Sequence, residues 1–503
     1  MTTDATSTRD ATSTQDSLSS AIYLGQPMNH ESVRRPLTLG TPTSREHSQQ
    51  ASDDGPNDEH LIDHYYTSFH LLHPLLPDPH LQNWHEYPQC LKAVMKLAGS
   101  HYCSTSSNQA RDQAVKLCLS EDVGTTHAEV QAYLLYCIIL QARDENTDAR
   151  VYLSRAINLA ISLEMDSEKY CQACIDQTMP IQDSLRKTWW ELFCVDTMMA
   201  AITRQQPLLK DPSASSPFLP VENPDHVSEN NPILRTISDF QERMFAEVDV
   251  NFSSYVYRIE ATLVLRQALA VLKGPEASSD RIQSVDNWLV GWSFHLPKEK
   301  AQIVDTHGNV DVLILQAHML IYWAAVLLHF PRSNLVSRCR VSVDGTTCMI
   351  RSPNRVPSAS PHLHAVNAVS ASKAITDLIA LRLPSQRHTP ILVCVLAYAV
   401  MVQIAASQSH GESCLEEHRM RISLVLGFLK SLSHDFHIAS RAWQQTRRLS
   451  ASIFQKRTVT ISDETMAPGQ AVPDSWGLQF DDLWDINFTG QYDMLIDPSA
   501  SLY

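Results

Sequence analysis

The sequence predicts an all-α protein, a large multi-helix body of antiparallel helices with a disordered tail at each end. Three observations carry that expectation. Glycine, which weakens helix interiors, supplies only 14 of 503 residues, against a high share of Ala, Leu, Ile and Gln. From about Leu61 onward apolar residues recur at three- and four-residue spacing, the period of one helix face. Outside residues 58–457 the composition changes: polar over residues 1–57, acidic and aromatic towards the end of 458–503. A body of this length can bury one large core or several ordinary ones.

Taken in order, residues 1–57 are rich in Ser, Thr, Asp and Gln. Such a segment buries too little apolar surface to offset its ordering entropy, so it is expected to be disordered. Thr126 and Glu129 then have capping-box spacing, and the helix they open places Val130, Tyr133, Leu134, Cys137 and Ile138 on one stripe. A second helix, about Ala149–Leu163, repeats the pattern with Tyr152, Leu153, Ala156, Ile157, Ala160 and Ile161. A third begins near Asp183 or Ser184, either of which is a good N-cap. Its Trp189, Leu192, Phe193 and Asp196 fall at i, i+3, i+4 and i+7, which puts a carboxylate on the apolar face. A buried charge needs a partner, and Arg204 and Arg155 are the candidates.

Prolines 207, 212, 217, 220, 224 and 232 punctuate the next stretch, read as a long surface loop. Helices resume over about 233–330 and stop at Pro331, followed by an irregular insertion at 332–360. Helices near Ala365–Leu381, after Pro390, at about Arg419–Ser433 and at about Ala439–Lys456 complete the body. Paired helices also occur in solenoids, but no fixed-period self-similarity accompanies them here.

Several function classes lose ground on composition. A formal charge of −15 argues against a broad nucleic-acid-binding surface, though not against a small local one. The apolar runs Val310–Phe330 and Ile391–Ala406 are interrupted by Asp311, Gln316 and His318 and by Gln403, and read as buried helices rather than membrane spans. Eleven scattered cysteines and no signal-peptide-like start fit free thiols in a reducing compartment; Cys171 and Cys174 form the one close pair. Histidines 60, 64, 70, 73, 80 and 85 carry no metal-site motif, so no metal or cofactor is expected. No two glycines lie closer than Gly469 and Gly477, which rules out the P-loop, the dinucleotide fingerprint and the Gly-x-Ser-x-Gly elbow. No catalytic set recommends itself, and the expectation is not an enzyme.

The stretch from Asp183 to Asp196, with Arg186, Trp189 and Trp190, is the most specific block. It resembles the middle region of the fungal binuclear zinc-cluster (Zn2Cys6) transcription factors. Tyr65, Tyr66, Phe69, His70, His73, Pro74, Leu75, Leu76 and Pro77 resemble the opening pattern of that region, and Tyr152–Met165 its second helix. Leu328, His329 and Pro331, then His388-Thr389-Pro390 and Arg421 to Leu432, resemble its later blocks. Two departures stand out: Arg204-Gln205-Gln206-Pro207 replaces a usual Gly-Arg-Pro, and no six clustered cysteines occur, the first cysteine being Cys90.

The resemblance implies a nuclear regulator of fungal catabolic or secondary-metabolite genes. Without its own cysteine cluster it is expected to reach DNA through a DNA-binding partner, as a homo- or heterodimer, with no membrane association. Which residues would touch DNA is left open. The last thirty residues hold Asp474, Asp481, Asp482, Asp485, Asp493 and Asp497, no Lys or Arg, and interleaved aromatics. This is the composition of an activation segment that docks on a coactivator, with Trp476, Phe480, Leu483, Trp484 and Phe488 as the candidate contacts. A basic set, Arg441, Arg447, Arg448, Lys456 and Arg457, reads as a solvated helix face. The alternative function is a cytosolic helical scaffold or small-molecule sensor without transcriptional output.

Overall fold

The computed structural model describes residues 57–103, 108–120, 125–173, 178–222, 234–245, 250–273, 279–338, 355–381, 383–409 and 412–454. Both tails, including all five candidate activation residues, lie outside this set, as do Cys174, Lys456 and Arg457. The described residues form helices; β character is confined to one isolated bridge between Val304 and Val310.

The chain enters through α1 (Asp58–His64), a π-helical turn (Tyr65–Phe69) and α2 (His70–Leu72). There follow α3 (Gln89–Ser100), α4 (Gln109–Cys118), α5 (His127–Ala142), α6 (Asn146–Ser162), α7 (Glu168–Ala173) and α8 (Met179–Thr203). After α9 (Ile237–Gln241) come α10 (Ser254–Lys273), α11 (Ser279–Phe294), α12 (Lys298–Ala301) and α13 (Val312–His329). The series closes with α14 (Pro361–Ile379), α15 (Leu392–Ser407), α16 (Glu412–Leu432) and α17 (His437–Phe454). From α13 on, each helix packs on the next, α10 lies along α13, and α17 returns to α5, where Arg441 pairs with Asp144 at 2.5 Å.

The start of α5 follows the expected chemistry, with the Thr126 amide donating to the Glu129 carboxylate at 2.9 Å. Its burial exceeds a single stripe, because Val130, Ala132 and Leu134 through Leu140 are all enclosed. On α6 the expected inward Ile161 is 48% exposed, whereas Leu153, Ala156, Ile157 and Ala160 are buried. α8 starts at Met179, four residues before Asp183. Pro180 is tolerated there because the first turn has no use for its missing N–H, and Asp183 is thereby an interior residue rather than the cap.

α13 and α15 are apolar nearly all round and occupy the core. α13, extended to Arg332, is long and apolar enough to cross a membrane, yet 78% of its apolar window is buried inside the protein. Asp311 caps it, accepting from the Leu313 and Ile314 amides at 3.1 Å each. The insertion expected from residue 332 begins as packed structure, since Arg332, Ser333, Leu335 and Val336 are buried. Arg332 closes the end of α13 by donating to the Leu328 carbonyl at 2.6 Å.

One glycine is required by close approach. A Cβ on Gly99 of α3 would stand 1.9 Å from the Leu61 carbonyl oxygen of α1. Backbone must move to admit it, so Gly99→Ala is expected to destabilise by about 1–3 kcal/mol, measured as a lower melting temperature. An unchanged melting temperature would show that α1 shifts freely on α3.

Candidate functional site

α8 is the axis of the site. Of its residues from Asp183 to Ile202, all but Lys187 are buried, polar groups included. Those polar groups hold the proline-rich segment that follows the helix. The Asp183 carboxylate accepts from the Val221 amide at 3.1 Å and pairs with Lys187 at 2.9 Å. Arg186 donates to Glu168 of α7 at 2.6 Å, and Glu168 accepts the Phe218 amide at 2.9 Å. The Trp190 indole N–H donates to the Phe218 carbonyl at 3.1 Å. Asp196 accepts from the Leu208 and Leu209 amides at 2.9 Å each. Residues 208–221 of the segment therefore form a strap tied to α8, with Leu209 and Leu219 buried beneath it, while Pro224 and Pro232 lie outside the described residues. Proline supplies no amide N–H and a fixed φ, which suits a chain that must lie extended with few donors to satisfy.

The partners expected for Asp196 are not the ones it has. Beyond the two strap amides it faces Arg266 of α10 at 3.8 Å. Arg204 instead donates to the Tyr398 hydroxyl of α15 at 3.1 Å, and Arg155 lies over the Tyr152 ring. Burial pushes the Asp196 carboxyl above its ordinary range, against the pull of the two amides and Arg266. Trp189, the other tryptophan of the block, is 7% exposed.

The opposite side of α8 carries a fully enclosed polar knot centred on Glu191. Its Oε1 accepts from His73 Nδ1 at 2.7 Å, and its Oε2 from the Tyr255 hydroxyl at 2.5 Å and from the Arg258 guanidinium. Arg258 also donates to Gln316 Oε1 at 2.9 Å, and Gln316 donates to the Leu72 carbonyl at 3.1 Å. His73 Nε2 meets the Thr389 hydroxyl at 2.9 Å. Ser184 adds a bond to the Leu75 carbonyl at 2.6 Å. Burial alone would push the Glu191 carboxyl up, but Arg258, then His73 and Tyr255, outweigh it and hold it at about 2.

Five segments distant in sequence meet here: the turn 72–75, α8, α10, α13 and the Thr389 turn. Three of them are blocks singled out in the sequence, now brought into one cluster. Glu191, Arg258, Gln316 and Thr389 were not singled out as site residues. A polar stripe of Ser184, Thr188 and Glu191 along the tryptophan helix was the available signal. Both oxygens of Glu191 accept from buried donors, and its side chain is fully enclosed. The knot links these segments to one another through buried hydrogen bonds.

Of the histidines, His70 and His73 are buried and bonded, His70 to the Leu76 carbonyl at 2.8 Å. His60 and His64 come together with Cys103, their ligand atoms within 4.8 Å of one another; among the described residues this is the group that could hold a metal ion. In the basic set, Arg447 lies over the Trp443 ring of α17.

Residues 60–278 match the family model described as fungal specific transcription factor domain. The chain is 28% identical over 409 residues to a C6 finger domain transcription factor, iacK, of Pestalotiopsis fici, an alignment covering 79% of this chain and 60% of that protein. The chain therefore spans about 60% of the length of the curated relative it matches. No solved structure matches.

Proposed function

We infer, from residues 60–278 belonging to the fungal specific transcription factor domain family, that this protein is a nuclear transcription regulator of fungal pathway genes. The matched family is regulatory, not catalytic. The reading is supported above all by that match, whose span runs from the His73 turn through the tryptophan helix and the strap. The helical body holds the regulatory surfaces in fixed relation, and the acidic segment 474–503 recruits a coactivator through Trp476, Phe480, Leu483, Trp484 and Phe488. Promoter contact comes through a DNA-binding partner with which the chain forms a dimer. Its targets are catabolic or secondary-metabolite genes.

A fusion of the chain to an unrelated DNA-binding domain is expected to switch on a reporter, and to lose most of that activity when residues 474–503 are deleted or when Trp484→Ala is combined with Phe480→Ala. A silent fusion sinks the activator reading. Specific promoter binding by the purified 503-residue chain alone, at physiological salt, would remove the need for a partner.

A further inference from the structure

We propose that the cleft between α6 and the C-terminal end of α8 binds a small polyanion, a molecule carrying two or more carboxylate or phosphate groups. The cleft encloses about 620 Å³, within the size range of small-molecule sites. Among the described residues its lining includes Arg150, Arg155 and Arg204 and no carboxylate. Guanidinium groups offer planar, paired donors that match carboxylate and phosphate oxygens. Asn146 and Thr147, the first residues of the 17-residue α6, also line it and add uncharged polar groups.

The geometry at Arg204 is the second observation. It ends α8 in the left-handed region, with φ 54° and ψ 34°. A side chain there is strained, and glycine is the favoured occupant. The chain carries an arginine at this strained position, steadied by the Tyr398 hydroxyl at 3.1 Å and lining the cleft. Arg150 reaches the Thr203 hydroxyl at 3.5 Å and is drawn by the charge of Asp196, while Arg155 rests on the Tyr152 ring at 5.1 Å. The three cations are thus placed by three different supports around one opening. Backbone strain retained where charged side chains converge is a mark of a working site. Gln205 also lines the cleft, three residues before the amide that Asp196 holds, so an occupant touches the start of the strap. The proposal stands apart from the transcriptional reading.

The test is titration calorimetry and thermal melting of the full chain with citrate and with inorganic pyrophosphate, against acetate and chloride at matched ionic strength. Citrate or pyrophosphate is expected to bind saturably and to raise the melting temperature with concentration. Arg155→Gln, whose side chain is exposed, and the double variant Arg150→Gln/Arg155→Gln are expected to weaken binding by at least about tenfold, one charge-assisted hydrogen bond or more. Their ligand-free melting temperatures report whether they fold. Lys298→Gln, an exposed charge outside the cleft, should bind as the unaltered chain does. Binding by either probe with these losses supports the site, and the probe that binds tells carboxylate from phosphate. No saturable binding beyond chloride, or binding unchanged in Arg155→Gln and the double variant, overturns it.

Discussion

Glu191→Ala is expected to destabilise the protein by about 3–5 kcal/mol, because it leaves the fully buried Arg258 without its counter-charge. For a body of this size that is a fall in melting temperature of roughly 5 °C. Removing both charges, as Glu191→Leu with Arg258→Met, should restore much of the loss, since two buried apolar groups carry no desolvation debt. A single variant as stable as the double one would show that water reaches the knot.

The same carboxylate sets a pH dependence whose sign is fixed. Its folded value of about 2 lies below the ordinary 4.5, so its contribution is fully present above about pH 4.5 and is lost as pH falls towards 2. The gap corresponds to about 3 kcal/mol. Asp144, Asp196, Glu260 and Asp435 are raised by burial and act in the opposite sense. The check is therefore differential: the acid-side loss of melting temperature in the unaltered chain should shrink in the Glu191→Leu/Arg258→Met variant.

Trp190→Ala is the second large effect, about 3–5 kcal/mol for a fully buried indole. It also strips the Phe218 carbonyl of its donor, so the strap should loosen and tryptic cleavage at the exposed Lys210 should accelerate. Trp189→Ala falls in the same stability range from its burial, yet the bonds described between α8 and the strap do not involve Trp189. Stability should fall in both variants, and strap cleavage should rise chiefly in Trp190→Ala. Equal cleavage in the two would mean that Trp190 packs the helix without holding the strap.

Much of this architecture was legible because helix periodicity is local. The positions of α5, α6, α13, α14, α15 and α17 follow from apolar spacing within a few residues of the observed bounds. The start of α8 was misplaced because Asp183 has the chemistry of a cap, and only the folded chain shows its carboxylate spent on Val221, 38 residues on. That Asp196 needs a partner was readable from its place on an apolar face. That the partners are backbone amides of residues 208 and 209 was not, since any residue supplies an amide.

By itself the sequence determined the all-helical class, the capping of α5 and the two apolar core helices. These are properties of residue spacing within one or two turns, where sterics and solvation act on neighbours. Only the tertiary structure decided what the polar residues of α8 do. Glu191 takes partners 118, 64 and 67 residues away in His73, Tyr255 and Arg258. The three arginines of the cleft likewise meet only once α6 is laid against the end of α8. A charge has no period along the chain, and its partner is chosen by how whole helices cross.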